Sequence, residues 1–323
     1  MEPRFKEQIN PKKFIIILAA LTALFGIGMV LITDFFIIPF AAFYAILLWF
    51  APKNKLLCAL IPVAVLAISL LNGVVGIFTV SAGLCGGLLL CFMYRRRCTK
   101  LDTVLALTAF FTFYLLLSLF LSIGYYLKDY SFTSVMTYYE EFIETQKTTF
   151  VDTFSKLHVV NENGESTYLF TEADAEGMFL SAMRLTISFF VISSFLLCGI
   201  TCKIFSKMVA YAERDETYVR SWRLLPPSLY VYFYIALFVL SFFAGTGESV
   251  FNVTVLNLYY IFMVFFAYIG IRHLFLVVSR ARRKGPVILI IIGLVLFFSV
   301  SAIQILSFLG AYATIVSNRV LKE

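Results

Sequence analysis

Five polar side chains stand where an apolar chain tolerates them least. Asp34, Asn72, Arg184, Glu248 and Asn257 lie inside or at the edge of long hydrophobic runs. A charge at the bilayer centre costs about 2.5–3.5 kcal/mol on insertion scales, so it persists where water, a counter-charge or a ligand meets it. Two carboxylates, a guanidinium and two amides are suited to holding an anionic or polar solute, in a pocket opening to one side of a membrane. The same residues also read as groups anchored at the interface, with Glu248 as the internal partner of Arg184. Arg272, two turns from the end of its run, reads as a side chain that snorkels its head to the interface.

Catalytic patterns are missing. No Gly-Lys-Ser/Thr occurs, so no phosphate-cradling NTPase loop is encoded, and Gly26-Ile-Gly28 lacks a third glycine. The two histidines, His158 and His273, are far apart, and there is no Gly-x-Ser-x-Gly elbow. Cys198 and Cys202 share a helix face at i, i+4 but have no third or fourth ligand nearby, which favours packing over metal binding. All six cysteines fall in apolar runs or beside basic loops, a pattern of reduced thiols. The expectation is a protein that is not an enzyme and carries no cofactor or metal.

Small residues form a second class of candidates. Ala19 and Ala23, followed by Gly26, line one face of the first apolar run and would let another helix approach closely. Gly83, Gly86 and Gly87 do the same further on. Internal packing and docking of a partner membrane protein are both open for these faces.

The elements that must position these residues follow from composition. Of 323 residues, 61% are hydrophobic and 14% charged, against about 45–50% and about 25% in soluble domains. Mean hydropathy is +0.92. Such a chain belongs in a bilayer. Apolar runs near 14–33, 35–50, 56–72, 74–94, 103–127, 179–202, 228–246, 250–279 and 286–316 are read as spans. The second is short, and the last is long enough for a tilted helix or a hairpin turning near Ser299–Ser301. The expected fold is an all-α, polytopic transmembrane helical bundle of about eight to ten spans. It divides into N-terminal membrane helices at 1–127, an acidic insertion at 128–178 and C-terminal membrane helices at 179–323. A β-barrel would need alternating polar and apolar residues, which these runs lack. The first run is longer than the core of a secretory signal and is read as a retained span.

Charge gives orientation. Nineteen of the 26 Lys and Arg fall in alternate loops, which would all face the cytoplasm of a bacterial cell under the positive-inside rule, with the N-terminus. The overall charge of +7 therefore reflects topology, and nucleic acid is not an expected partner. Residues 128–178 fall on the other face and carry three lysines against ten carboxylates. Val135, Tyr139, Phe142, Phe150, Phe154 and Leu157 recur at helical spacing there. Asn161–Ser166 is a turn cluster, and Thr171 with Asp174 resembles a capping box. Two short helices on the outer membrane face are expected.

The second half carries a resemblance. Trp222-Arg223-Leu224-Leu225-Pro226-Pro227 leads into one span. The next helix, opening on Asn257, runs to Ala267-Tyr268-Ile269-Gly270-Ile271, and the chain closes with Leu309-Gly310 and Arg319. This order resembles the YybS-like family of bacterial membrane proteins, which carries a domain of unknown function, over nearly the whole chain. Ile269 stands where that family often has Gln, and Tyr312 and Ala313 where it often has Asp. The family is in turn similar to the substrate-binding membrane subunits of energy-coupling factor transporters, in which an Ala-x-x-x-Ala face like Ala19 and Ala23 docks the transmembrane partner. The resemblance implies an outward-open pocket for a small-molecule solute and dependence on a separate ATPase module. A scaffold or regulator without transport activity is the alternative.

The orientation is checked by placing one cysteine at Ser166 in a cysteine-free chain. An impermeant maleimide is expected to label it on intact cells. Labelling that requires broken cells would reverse the topology.

Overall fold

Hydrocarbon offers no partner to a backbone N–H or C=O, so a chain this apolar closes its hydrogen bonds within helices. The computed structural model of the chain describes residues 6–7, 9–31, 36–51, 55–160, 166–213, 224–244, 249–280 and 301–318. In order these form α1 (Pro11–Leu31), α2 (Ile37–Phe50), α3 (Lys55–Ser69), α4 (Gly73–Arg95), α5 (Lys100–Leu127), α6 (Phe132–Phe154), β1 (His158–Val160), β2 (Ser166–Tyr168), α7 (Glu172–Arg184), α8 (Thr186–Ala212), α9 (Ser228–Phe243) and α10 (Val250–Arg280). The last described helix, α11, is Ser301–Asn318. Six of them (α1, α4, α5, α8, α10 and α11) are long and apolar enough to cross a membrane, while α2, α3 and α9 are shorter apolar helices. A polytopic helical bundle is the result.

Local chemistry fixes the helix starts. Asn10 caps α1, its Oδ1 accepting from the N–H groups of Lys12 and Lys13 at 3.1 and 3.3 Å. Pro11 fills the first helical position, where its missing N–H costs nothing. At α5, Thr99 Oγ1 accepts from Asp102 N at 3.1 Å and donates to Asp102 Oδ2 at 2.6 Å.

The boundaries agree with the sequence reading in one place and depart from it in another. The run at 56–72 ends as read: α3 carries Pro62 and passes into a 3-10 turn, Leu70–Asn72, before Gly73 turns the chain at φ 64°, ψ −150°. That backbone conformation is open almost only to glycine. The sixth span begins at Thr186, not near 179, because α7 ends at Arg184 and Leu185 separates the two helices. Finally, the two helices expected in the insertion are joined by a hairpin in which His158 pairs with Tyr168 and Val160 with Ser166. Residues 161–165 of the expected turn, and the 286–300 part of the last run with its proposed hairpin, lie outside the described residues.

Contacts divide the chain into two compact units, Met1–Thr112 with Val191–Glu323, and Phe113–Phe190. In the first, α2 is apolar on every side (IIPFAAFYAILLWF), a pattern suited to a protein interior or a bilayer. It packs against α1 and α4, and eleven of its fourteen residues are buried. The small residues are consumed by this packing. A methyl at Gly83 would meet Phe40, one at Gly86 would meet Phe111, and one at Gly87 would meet the Ala41 carbonyl at 2.8 Å. These glycines are internal contacts.

Ring and polar contacts then place helix ends together. Phe14 at the start of α1 meets Phe50 at the end of α2, at 5.3 Å. Tyr94 near the end of α4 meets both Trp49 (4.8 Å) and Phe205 of α8 (4.9 Å). Arg95 donates to the Leu48 carbonyl at 2.8 Å. Lys6 donates through Nζ to Ala210 O at 2.8 Å and through its backbone N–H to Ala212 O at 3.0 Å. Cations at helix C-termini meet the negative end of the dipole, each contributing about 0.3–1 kcal/mol.

The remaining helices pack around Tyr234 of α9, which is fully buried and lies 2.5 Å from Ser307 Oγ. Phe238, one turn on, touches Tyr259 of α10 and Phe308 of α11. At the other end of α9, Asn318 Nδ2 donates to Pro226 O at 2.9 Å and to Ser228 Oγ at 3.2 Å. Helix α11 thus runs antiparallel to α9, as does α10 across its short connection, so α10 and α11 run side by side. They cross at Gly270 and Gly310. A methyl on Gly270 would strike the Leu306 carbonyl, and one on Gly310 the Phe266 carbonyl, both backbone atoms that cannot swing aside.

Gly270→Ala and Gly310→Ala are each expected to destabilise the purified protein by about 1–3 kcal/mol, read as a lowered thermal midpoint in detergent. Gly199→Ala, where an added methyl meets nothing within 4 Å, is the control and should be neutral or stabilising. Equal behaviour of the three would remove the crossing as a structural determinant.

Candidate functional site

The unit 113–190 is assembled from two capped helices. Ser131 caps α6, its Oγ accepting from Ser134 N at 3.2 Å, and Asp129 Oδ1 accepts from Ser131 N at 2.9 Å. At α7 both halves of the capping box form: Thr171 Oγ1 accepts from Asp174 N at 3.2 Å, and Asp174 Oδ2 accepts from Thr171 N at 3.1 Å. A hydrogen bond from the Thr171 side chain, then its backbone, holds the Asp174 carboxyl below its ordinary pKa. Asp129 is lowered similarly, by the Ser134 side chain first. Between the two helices Lys147 reaches Glu176 at 2.9 Å and Glu144 at 3.3 Å, and these carboxylates raise its pKa. Phe150 stacks on Phe154 at 4.2 Å and meets Phe179 of α7 at 5.6 Å. The expected helical stripe is realised in part: Phe142 is 49% exposed and the inward position is Ile143, while Leu157 lies beyond the end of α6 and is exposed.

Within this unit lies a cavity of about 620 Å³. One stripe of α5, Leu116, Leu119, Phe120 and Ile123, forms a wall, and Phe132, Val135, Met136, Tyr139 and Ile143 of α6 face it at helical spacing. Leu180, Met183 and Arg184 close one end from α7, with Thr186, Ile187 and Phe190 from α8. Among the described lining residues Arg184 carries the one charge. Thr186 Oγ1 donates to Met183 O at 2.7 Å. The volume falls in the range of small-molecule sites, about 300–1,000 Å³. A second cavity, in the other unit beside Thr108, Phe195 and Phe265, measures about 80 Å³ and is far below that range.

The five polar candidates are distributed as follows. Arg184 is the last residue of α7, not a turn inside a span, so its charge sits at a helix C-terminus and reaches the cavity. Asn72 is exposed and donates to the Val30 carbonyl. Asn257 is buried, 6% exposed, and donates to Val253 O one turn back at 2.8 Å. Both asparagines belong to the first unit and Arg184 to the second. Asp34 and Glu248 lie outside the described residues. Ala19 and Ala23 are half-buried, between the buried stripe Leu18, Thr22 and Gly26 and the exposed Ile16, Ala20 and Leu24. Cys198 and Cys202 are buried in the apolar interior, and all six cysteines are free thiols.

Sequence reasoning missed the cavity. Its walls are one amphipathic stripe on α6 and the C-terminal part of α5, and the stripe at 132, 135, 136, 139 and 143 was the available signal.

No curated protein and no solved structure matches the chain. The family model described as "Predicted membrane protein (DUF2232)" matches residues 13–312. A match over that length, on a bundle of apolar helices, places the chain in the DUF2232 family of membrane proteins.

Proposed function

We propose that the chain is a solute-binding component of the bacterial cytoplasmic membrane, with its N-terminus in the cytoplasm and the cavity of residues 113–190 open to the other side. The observation that carries this reading is the cavity itself: about 620 Å³, walled by apolar stripes, with Arg184 at one end. Apolar walls with a few placed polar groups, here Arg184 with the Tyr139 and Thr186 hydroxyls, are the usual build of a ligand site. The resemblance to YybS-like proteins, and through them to the substrate-binding subunits of energy-coupling factor transporters, supports capture of a solute for a separate ATPase module. The absence of any NTPase loop in the sequence agrees with that division of labour. Asp34, Asn72, Glu248 and Asn257 have no assigned part in this site.

Native mass spectrometry of the full chain tests it, with hexadecanol added as a neutral alkyl probe. The wild type is expected to carry a small-molecule adduct, co-purified or added, and Met136→Trp, whose indole narrows the cavity, to carry less of it. Helical circular dichroism should be unchanged, and Leu119→Trp provides a second narrowed variant. A bare wild type that takes up no probe, or narrowed variants that retain it undiminished, would sink the reading.

A scaffold that gathers other membrane proteins is favoured by one observation, the half-exposed Ala19 and Ala23 on α1. Small residues let a partner helix come close, and two leucines would hold it away. Replacing both with Leu is expected to abolish co-purification of a membrane partner while the chain still folds. Unchanged association would remove this docking face, and loss of folded protein would assign the pair to internal packing.

A further inference from the structure

We infer that the occupant of the cavity is one acyl chain of an anionic phospholipid, with the lipid phosphate held by Arg184; this rests on the cavity being a binding site. The lining chooses the chain. Leu116, Leu119, Phe120 and Ile123 on one wall offer a solute no hydrogen bond, the Thr186 hydroxyl already donates to Met183 O at 2.7 Å, and Tyr139 is the one other hydroxyl in the lining. A sugar or amino acid would lose its water there with little in return. An alkyl chain loses nothing and leaves water or bilayer for an equally apolar wall.

Depth supplies the second argument. The α5 wall lies immediately before Tyr125 and Tyr126, which are 58% and 70% exposed. Exposed tyrosines at the end of a spanning helix sit at the headgroup level of a membrane. Thr186, Ile187 and Phe190 occupy the first turns of α8, another helix long enough to span. The cavity therefore begins at the boundary between hydrocarbon and headgroups, where a lipid can slide in one chain without crossing water.

Charge supplies the third. Arg184 presents five N–H donors in a planar fork that matches phosphate oxygens, enough to serve a protein acceptor and a lipid together. Among the described carboxylates of this unit, Glu140, Glu141, Glu144, Glu172 and Glu176 are all exposed, and none lines the cavity. Lys147 engages two of them. Solvent-exposed charges are screened by salt more strongly than buried ones, which weakens their repulsion of a phosphate.

The test uses the full chain in phosphatidylcholine nanodiscs doped with phosphatidylglycerol or phosphatidylcholine bearing a photoreactive diazirine in the acyl chain. Crosslinks on peptides from 113–190 are read by mass spectrometry, which separates this site from the basic helix ends elsewhere. The phosphatidylglycerol probe is expected to label these peptides roughly tenfold more than the phosphatidylcholine probe. Arg184→Gln should bring the two to parity, Arg184→Lys should keep part of the preference, and Lys203→Gln should change nothing here. Met136→Trp, which narrows the cavity, should lower labelling by both. Equal labelling of the wild type, or a preference that survives Arg184→Gln, overturns the anionic-lipid inference while leaving the cavity as a binding site. Undiminished labelling of Met136→Trp overturns both.

Discussion

Two peptide backbones meet where α10 and α11 cross at Gly270 and Gly310, with no side chain between them. The rest of the second half depends on that contact. It fixes α11 alongside α10, which lets Phe308 and Ser307 close over Tyr234 and brings Asn318 onto the carbonyl that precedes α9. In a membrane, apolar side chains gain little by leaving lipid for one another, so close backbone approach and buried hydrogen bonds have to supply the association. The α2–α4 contact through Gly87 solves the same problem in the first half, with a helix too short to span a bilayer by itself.

Composition and run length were enough to read the helical bundle, because the hydrophobic signal of a span needs no tertiary information. The caps were legible for the same local reason: Thr171 and Asp174, three residues apart, form both hydrogen bonds of their box. What hid was set by contacts distant in sequence. Leu185 lies between two apolar stretches that a single charge, Arg184, does not visibly separate, so the last residues of α7, from 179 on, read as the start of the sixth span. That misreading put Arg184 inside the membrane, when it is the last residue of an amphipathic helix. Asn72 and Asn257 looked like ligand groups since polarity is visible in a sequence and the carbonyls that satisfy it, Val30 and Val253, are not.

The site that emerged is therefore less polar than the one the sequence suggested. Its specificity would come from shape and a single guanidinium. The helix that carries Arg184 is held to α6 on its water side by Lys147, and on its inner side by Phe150 against Phe179. Exposed ion pairs of this kind contribute little, about 0–1 kcal/mol, so the aromatic contact is the firmer hinge of the two.

The hydrogen bonds of Lys6 to Ala210 and Ala212, and of Arg95 to Leu48, have a further consequence once a voltage exists across the bilayer. They tie cations to the same set of helix ends, where Lys203, Lys207 and the Arg95–Arg97 cluster also lie. Carrying one charge across a potential of 100 mV costs about 2.3 kcal/mol. For these six cations the sum is about 14 kcal/mol, and they cannot move one at a time because the helices that carry them move with them. Whichever compartment is the more negative holds that face, and an energised membrane keeps the bundle in a single orientation.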